Sequence, residues 1–171
     1  MTEADGHGEI TVYHLEMLSS QHHQVKSLPT QLTVVEAEIK QAAVNRFLYQ
    51  FIGADWNWYE KLSLSDQQWR EYAENENLRT WIAYCSGSIA GYFELQKQAD
   101  STVELAYFGL APASIGKGFG GALLSQAIEA AWQWGGTQRV WVHTCSLDHQ
   151  HALANYQARG FSLFKTETVV D

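Results

Sequence analysis

Between Gly116 and Leu124 the chain reads Gly-Lys-Gly-Phe-Gly-Gly-Ala-Leu-Leu, four glycines in six positions where an apolar, strand-like run gives way to a helical one. Glycine admits positive φ and lets a ligand reach the main chain, and the first N–H groups of the following helix have no partner inside it. Those donors, with the positive end of the helix dipole, attract an anion such as phosphate. Gly116-x-Gly118-x-x-Gly121 also matches the dinucleotide fingerprint letter for letter. Its context does not match. That fingerprint belongs after the first strand of a parallel sheet, with a carboxylate about 20 residues further on, and none stands around Trp141-Val142-His143. A Walker loop would close on Gly-Lys-Ser/Thr, which is absent. The alternative to an anion site is a bare glycine turn that lets helix and strand pack closely.

Other chemistry-bearing groups point less far. His143, His149 and His151 lie near Cys145, yet zinc-type ligand spacing is missing, so packed or surface histidines and no metal are expected. Cys85 and Cys145 sit in apolar, strand-like runs and read as buried free thiols, not as a disulfide framework or a nucleophile. Trp56, Trp58, Tyr59 and Trp69 either line a pocket for an amine cation or pack helices on a sheet.

The elements that must position the loop follow from hydrophobic period. Ile10 to Leu18 reads as a strand, followed by a polar, histidine-bearing loop through Pro29. Val34, Val35, Ile39, Ala42, Ala43, Phe47 and Leu48 are spaced for one face of a helix over 34–49, and Ser65-x-x-Gln68 is a capping box opening a second helix. The period then falls to two over Thr80–Cys85, Ile89–Leu95 and Val103–Leu110, with Ser86-Gly87-Ser88 as a hairpin turn. After the glycine loop a long helix carries Leu123, Leu124, Ala127, Ile128 and Ala131 on one stripe and stops at Gly135-Gly136. Val140–Thr144 is a buried-type strand, His151–Arg159 a short helix closed by Gly160, and Phe161–Val170 supplies one or two last strands.

At 171 residues, 46% hydrophobic and 18% charged, with no internal repeat or linker, the chain reads as one globular domain, 1–171, with Met1–Glu9 as a flexible tail. A net charge of −8 disfavours nucleic acid and anionic lipid and suits a cationic small molecule. The N-terminal residues have neither the basic start nor the apolar core of a secretory leader, and no apolar run reaches membrane-spanning length, so a cytoplasmic location is expected.

Read outward, the segment Leu110-Ala-Pro-Ala-Ser-Ile115-Gly116-Lys117-Gly118-Phe-Gly120-Gly121-Ala-Leu-Leu124 resembles the acetyl-CoA-binding segment of the GNAT superfamily of N-acetyltransferases. A second segment, His151-Ala-Leu-Ala-Asn-Tyr156-Gln-Ala-Arg-Gly160-Phe161, is similar to that family's later helix with its Tyr and following Gly-Phe. The resemblance implies an α/β (α+β) GNAT fold: a mixed, mostly antiparallel sheet of six to seven strands, flanked by about four helices and splayed between strands four and five. It also implies acetyl-CoA as co-substrate and a small-molecule or peptide amine as acceptor, with homodimers common among relatives. By position, the main-chain amides of Gly116, Lys117, Gly118, Gly120 and Gly121 would hold the pyrophosphate. Phe108, Gly109 and Leu110 would hold the pantetheine arm, and His149 stands where the family often has Asn. The family's loop usually begins with Arg or Gln, whereas this chain has Ile115, so part of the phosphate grip is lost or supplied by Lys117.

The resemblance implies two catalytic residues. A lysine-like amine, of pKa about 10.4, must lose a proton before it can attack a thioester. Glu104 matches the family's glutamate base, with a water chain as the alternative, and strand alternation would put Glu104, Ala106, Phe108 and Leu110 on one face. Burial among Leu105, Ala106, Tyr107 and Phe108 would raise its pKa. Tyr156 matches the general acid that protonates the leaving thiolate, and the N–H of Leu110 would polarise the thioester carbonyl. The expected activity is direct N-acetyl transfer with donor and acceptor bound together. The alternatives are an inactive acyl-CoA sensor or partner-binding module of the same fold and, third, a Rossmann-type nucleotide binder, which would require a parallel sheet throughout.

Overall fold

A computed structural model describes residues 8–170. Seven strands, β1 (Glu9–Met17), β2 (Leu32–Glu36), β3 (Leu78–Cys85), β4 (Ser88–Gln98), β5 (Thr102–Leu110), β6 (Arg139–Cys145) and β7 (Ser162–Val170), form one sheet in the order β2-β3-β4-β5-β6-β1-β7. Every neighbouring pair is antiparallel except β5 with β6, so a doubly wound parallel sheet is excluded. Helix α3 (Phe119–Gln133) packs on one face of the sheet through Leu123, Leu124 and Ile128, against Leu15, Phe93, Leu95 and Val142. The other face carries α1 (Ala42–Gly53) and α2 (Asp66–Ala73), whose Leu48, Tyr49, Ile52 and Trp69 meet Leu78, Ile82 and Tyr92. The fourth helix, α4 (Ala152–Ala158), leads into β7. Among the described residues no helix is long and apolar enough to cross a membrane. The tail expected over Met1–Glu9 lies outside the described residues, apart from Gly8 and from Glu9, which already belongs to β1.

The helix expected over 34–49 divides in two. Thr33, Val34 and Val35 belong to β2, where β-branched side chains suit a pleated strand, and Leu32 and Val34 turn to the α3 side of the core. The helix itself starts at Ala42 and buries Asn45, Leu48, Tyr49 and Ile52, while Ile39 and Phe47 are 80% and 51% exposed. The helical spacing over 34–49 runs across the end of a strand and a turn before the helix begins. With β2 present, the strand entering the glycine loop is the fifth, and the divergence expected between strands four and five lies between β5 and β6. The last segment forms one strand, β7, and β1 runs between β6 and β7, pairing antiparallel with both. The Ser65 capping box forms as expected: the Gln68 N–H donates to Ser65 Oγ at 3.2 Å and the Ser65 N–H to Gln68 Oε1 at 2.8 Å.

Two irregularities set up the site. The parallel β5–β6 ladder holds only Thr102, Val103 and Glu104, against Arg139, Val140 and Trp141, and beyond Glu104 the strands part. On the other edge of β5, Tyr107 faces Glu94 while Leu105 faces Leu95, so Ala106 is the extra residue of a β-bulge. The bulge reverses which side of the sheet successive side chains take. Val103 and Leu105 lie on the α3 side, and so do Phe108 and Leu110, whereas Tyr107 joins α1 and α2. The expectation that Glu104, Ala106, Phe108 and Leu110 share a face therefore fails, and Glu104 takes the α1/α2 side with Tyr107.

The connection from β1 to β2 docks across α3 and α4 instead of hanging in solvent. The Gln24 N–H donates to the Arg159 carbonyl at 2.9 Å, and the Lys26 N–H donates to Ser125 Oγ at 3.0 Å. Gly160, at φ +110°, lets this strap close: a Cβ there would sit 2.0 Å from the His22 carbonyl oxygen. Gly160→Ala should cost on the order of 3 kcal/mol through backbone strain plus displacement of the strap, read as a lower urea midpoint at unchanged slope.

Candidate active site

Where β5 and β6 part, the sheet opens into a cleft of about 1330 Å³. That exceeds the usual volume of a site for one small molecule, about 300–1,000 Å³, and leaves room for two ligands end to end. One wall is β5 from Leu105 to Leu110, and the opposite wall runs through Val142, Cys145 and Tyr156. Strand alternation decides which donors face the gap. The Ala111 N–H donates to the Ala90 carbonyl at 2.8 Å, toward β4, so the N–H groups of Leu110 and Phe108 point the other way, where β6 has withdrawn. Gly109 is a packing requirement, since a Cβ there would lie 2.6 Å from Ile52 Cγ2.

The glycine loop forms one end of the cleft. Gly116 and Gly118 adopt φ +84° and +79°, a left-handed backbone that L side chains rarely take, and α3 starts at Phe119 without a side-chain cap. The first-turn N–H groups are left facing the cleft, whose lining includes Gly116, Gly118, Gly120 and Gly121. Ile115 lines the cleft as well, but Lys117 is exposed and stands outside the lining. Tyr156 lines the facing side, with its ring edge-on to Phe108 at 6.3 Å and to Phe161 at 6.0 Å. Burial, and secondarily Asp148, push its hydroxyl well above the ordinary tyrosine pKa, so it keeps its proton at neutral pH.

A mixed, mostly antiparallel seven-stranded sheet flanked by four helices is shared with solved GNAT proteins. The family model "Acetyltransferase (GNAT) family" matches residues 45–161. The chain belongs to the GNAT acetyltransferase family. It is accordingly an acyltransferase. An uncharacterized N-acetyltransferase of Mycobacterium tuberculosis is 31% identical over 106 residues, covering 62% of this chain and 67% of the relative. A GCN5-related N-acetyltransferase from Kribbella flavida superposes with TM-score 0.67 at 17% identity, over 96% of this chain, which spans only 60% of that chain's length. A Bacillus subtilis acetyltransferase solved in complex with CoA gives TM-score 0.57 at 25% identity, covering 77% of this chain and 76% of that one.

In this GNAT chain the residues singled out from sequence divide in two. Phe108, Gly109, Leu110, Gly116, Gly118, Gly120, Gly121, His149 and Tyr156 meet on the cleft. The side chains of Glu104 and Lys117 are not on its lining. Glu104 lies where the ladder ends, 9% exposed, with Oε2 buried and unpartnered. Burial raises its pKa, against smaller opposing effects of His143 and Lys61. Among the described residues no cluster of three or more His, Cys, Asp or Glu could hold a metal ion.

Three carboxylates were not identified from sequence. Asp148 lines the cleft, accepts from Thr144 Oγ1 and from the Cys145 N–H (3.2 Å), and takes the Trp58 indole N–H at 3.4 Å, tying the turn after β6 to the segment after α1. Glu60 also lines the cleft and accepts from the Tyr107 hydroxyl at 3.0 Å. Its signal was its place beside Trp58-Tyr59. Glu94 is buried on the α1/α2 side, accepting from Asn45 Nδ2 at 2.8 Å and the Tyr72 hydroxyl at 2.5 Å, and burial raises its pKa too. It had no signal, because alternation alone cannot tell an inward polar position from an outward one.

The unpartnered Glu104 carboxyl has a testable pH signature. Folding raises its pKa, so its contribution to stability is full below the unfolded value of about 4.3 and is lost as pH rises through the folded value. Glu104→Gln removes that loss. The variant should melt above wild type at pH 8, with the gap closing toward pH 4 in parallel thermal scans.

Proposed function

We propose that the cleft moves an acetyl group from acetyl-CoA to a primary amine, with donor and acceptor bound together. The observation that carries this reading is the parting of β5 from β6 beside the uncapped start of α3. It leaves main-chain donors for an extended thioester arm next to main-chain donors for its phosphates. The residues fit such a donor: Gly116, Gly118, Gly120 and Gly121 leave the main chain bare, and the N–H groups of Phe108 and Leu110 lack strand partners on the open side. Acetyl-CoA supplies the activated acyl group.

The acceptor end differs in character. Trp56, Trp58, Tyr59 and Tyr107 present aromatic faces, Glu60 adds a carboxylate, and no lysine or arginine is among the cleft-lining residues. An amine that arrives as a cation is attracted there. Its proton must leave before attack. Glu104 accepts it through water, because the carboxyl lies behind the cleft wall, and His143 stands on that wall. The Leu110 N–H polarises the acyl carbonyl; as the C–N bond forms and the C–S bond breaks, the Tyr156 hydroxyl protonates the departing thiolate and the nitrogen of the tetrahedral intermediate gives up the proton that restores it.

Thiol release across a panel of amines with acetyl-CoA tests the reading. One or more cationic amines should give turnover, and no release with any amine together with no calorimetric binding of acetyl-CoA would end it. Tyr156→Phe should lower kcat about 100-fold while acetyl-CoA binding stays unchanged. Glu60→Gln should raise KM for a cationic amine roughly threefold to tenfold, with kcat nearly constant, as expected of a residue that attracts the acceptor and takes no part in the chemistry.

A further inference from the structure

The donor end has a charge problem. Ile115 is the loop side chain on the cleft, Lys117 and Lys26 are both exposed and outside its lining, and the protein carries a net charge of −8. A pyrophosphate approaching an acidic body needs a cation nearby. The strap between β1 and β2 brings one. A Cβ at Gly121 would lie 3.0 Å from Lys26 Cδ and 3.3 Å from Lys26 Nζ, so the ammonium sits over the first turn of α3. We infer that Lys26 binds the pyrophosphate of the donor, adding a side-chain cation to the main-chain amides of the glycine loop. This rests on the coenzyme A reading of the cleft.

Three observations support it. The position is built: the Lys26 N–H donates to Ser125 Oγ at 3.0 Å, His23 Nε2 pairs with the same oxygen at 2.9 Å, and Gln24 is tied to Arg159. The charge is unspent, because among the described residues Lys26 takes part in none of the ion pairs, and the nearby α3 acid Glu129 acts on His23. The location also makes no sense for helix stability. A cation beside the positive end of a helix dipole is repelled by it, whereas an anion placed between them satisfies both. Asn155, whose amide lies 3.4 Å from the same Cβ position and which lines the cleft, marks the spot as continuous with the donor end.

The test is equilibrium binding by calorimetry at low ionic strength, using CoA, dephospho-CoA and pantetheine with wild type, Lys26→Met and Lys26→Arg. Lys26→Met keeps most of the stem and removes the charge. It should weaken CoA and dephospho-CoA equally, roughly threefold to tenfold, with the loss shrinking as salt is added. Pantetheine should bind it as it binds wild type, and Lys26→Arg should retain most of the CoA affinity. An unchanged CoA affinity in Lys26→Met, or an equal loss for pantetheine, would overturn the assignment, the latter by making Lys26 a strap residue only. A loss confined to CoA would move the contact to the 3′-phosphate and overturn the pyrophosphate assignment. If wild type binds CoA no better than pantetheine, the coenzyme A reading itself fails, a result distinct from any Lys26 outcome.

Discussion

Past Glu104, β5 has no neighbour on its β6 side, and a strand unpaired on one side within a sheet carries N–H and C=O groups that must find partners elsewhere. The rest of the molecule is arranged around that gap. The Ala106 bulge bends β5 and switches its faces, so Phe108 and Leu110 turn toward α3 while Glu104 stays on the side of α1 and α2. On the far side, β6 is held away by β1, which pairs with it from Val12↔Cys145 to Met17↔Val140 and is paired in turn by β7. A withdrawn β6 therefore costs no backbone hydrogen bonds on its outer edge. The opening is a property of the sheet, not a loop that could close over it.

The face of the sheet under α1 and α2 buries a connected set of polar groups. Glu94, Asn45, Thr80 and Tyr72 form one connected set, with Asn45 Nδ2 donating to both Thr80 Oγ1 (2.9 Å) and Glu94 Oε1 (2.8 Å). Such a network is stable only when its members are satisfied, and these are. Glu104 breaks that rule on the same face, with one buried oxygen unpartnered. Two carboxyls raised by burial, one fully partnered and one not, are in different chemical situations: Glu94 fixes Asn45 and Tyr72 in place, while Glu104 retains capacity for a proton or a water.

Much of this was legible in the chain because local signals agreed with the fold. The glycine loop, the capping box at Ser65, the hairpin at Ser86-Gly87 and the stripe of α3 each depend on neighbours within a few residues, and each appears where its spacing puts it. What failed depended on distant partners. Val34 and Val35 fit helical spacing, and only the pairing of β2 with β3 makes them strand. The bulge is invisible in β5 alone because it exists only in register with β4. Lys26 stands 90 or more residues from Gly121 and Ser125 in sequence, and nothing in Val25-Lys26-Ser27 signals that the strap lands on α3.

The charge arrangement follows from how the two ends of the cleft are made. At the glycine-loop end the attraction for an anion comes from main-chain dipoles, which carry no titratable group and do not alter the net charge of −8, and from the Lys26 ammonium beside them. At the acceptor end it comes from side chains, Glu60 and aromatic faces, and favours a cation. On the proposed reading, a cleft with opposite preferences sorts its ligands without a moving part: an anionic donor would be repelled from Glu60 and a cationic amine from the start of α3. On that reading the acidic surface would repel coenzyme A at long range, where screening within about 10 Å at 0.1 M salt limits the penalty, and would draw the amine. The donor grip on that reading has to be short-ranged, as bare glycine amides with one lysine beside them are.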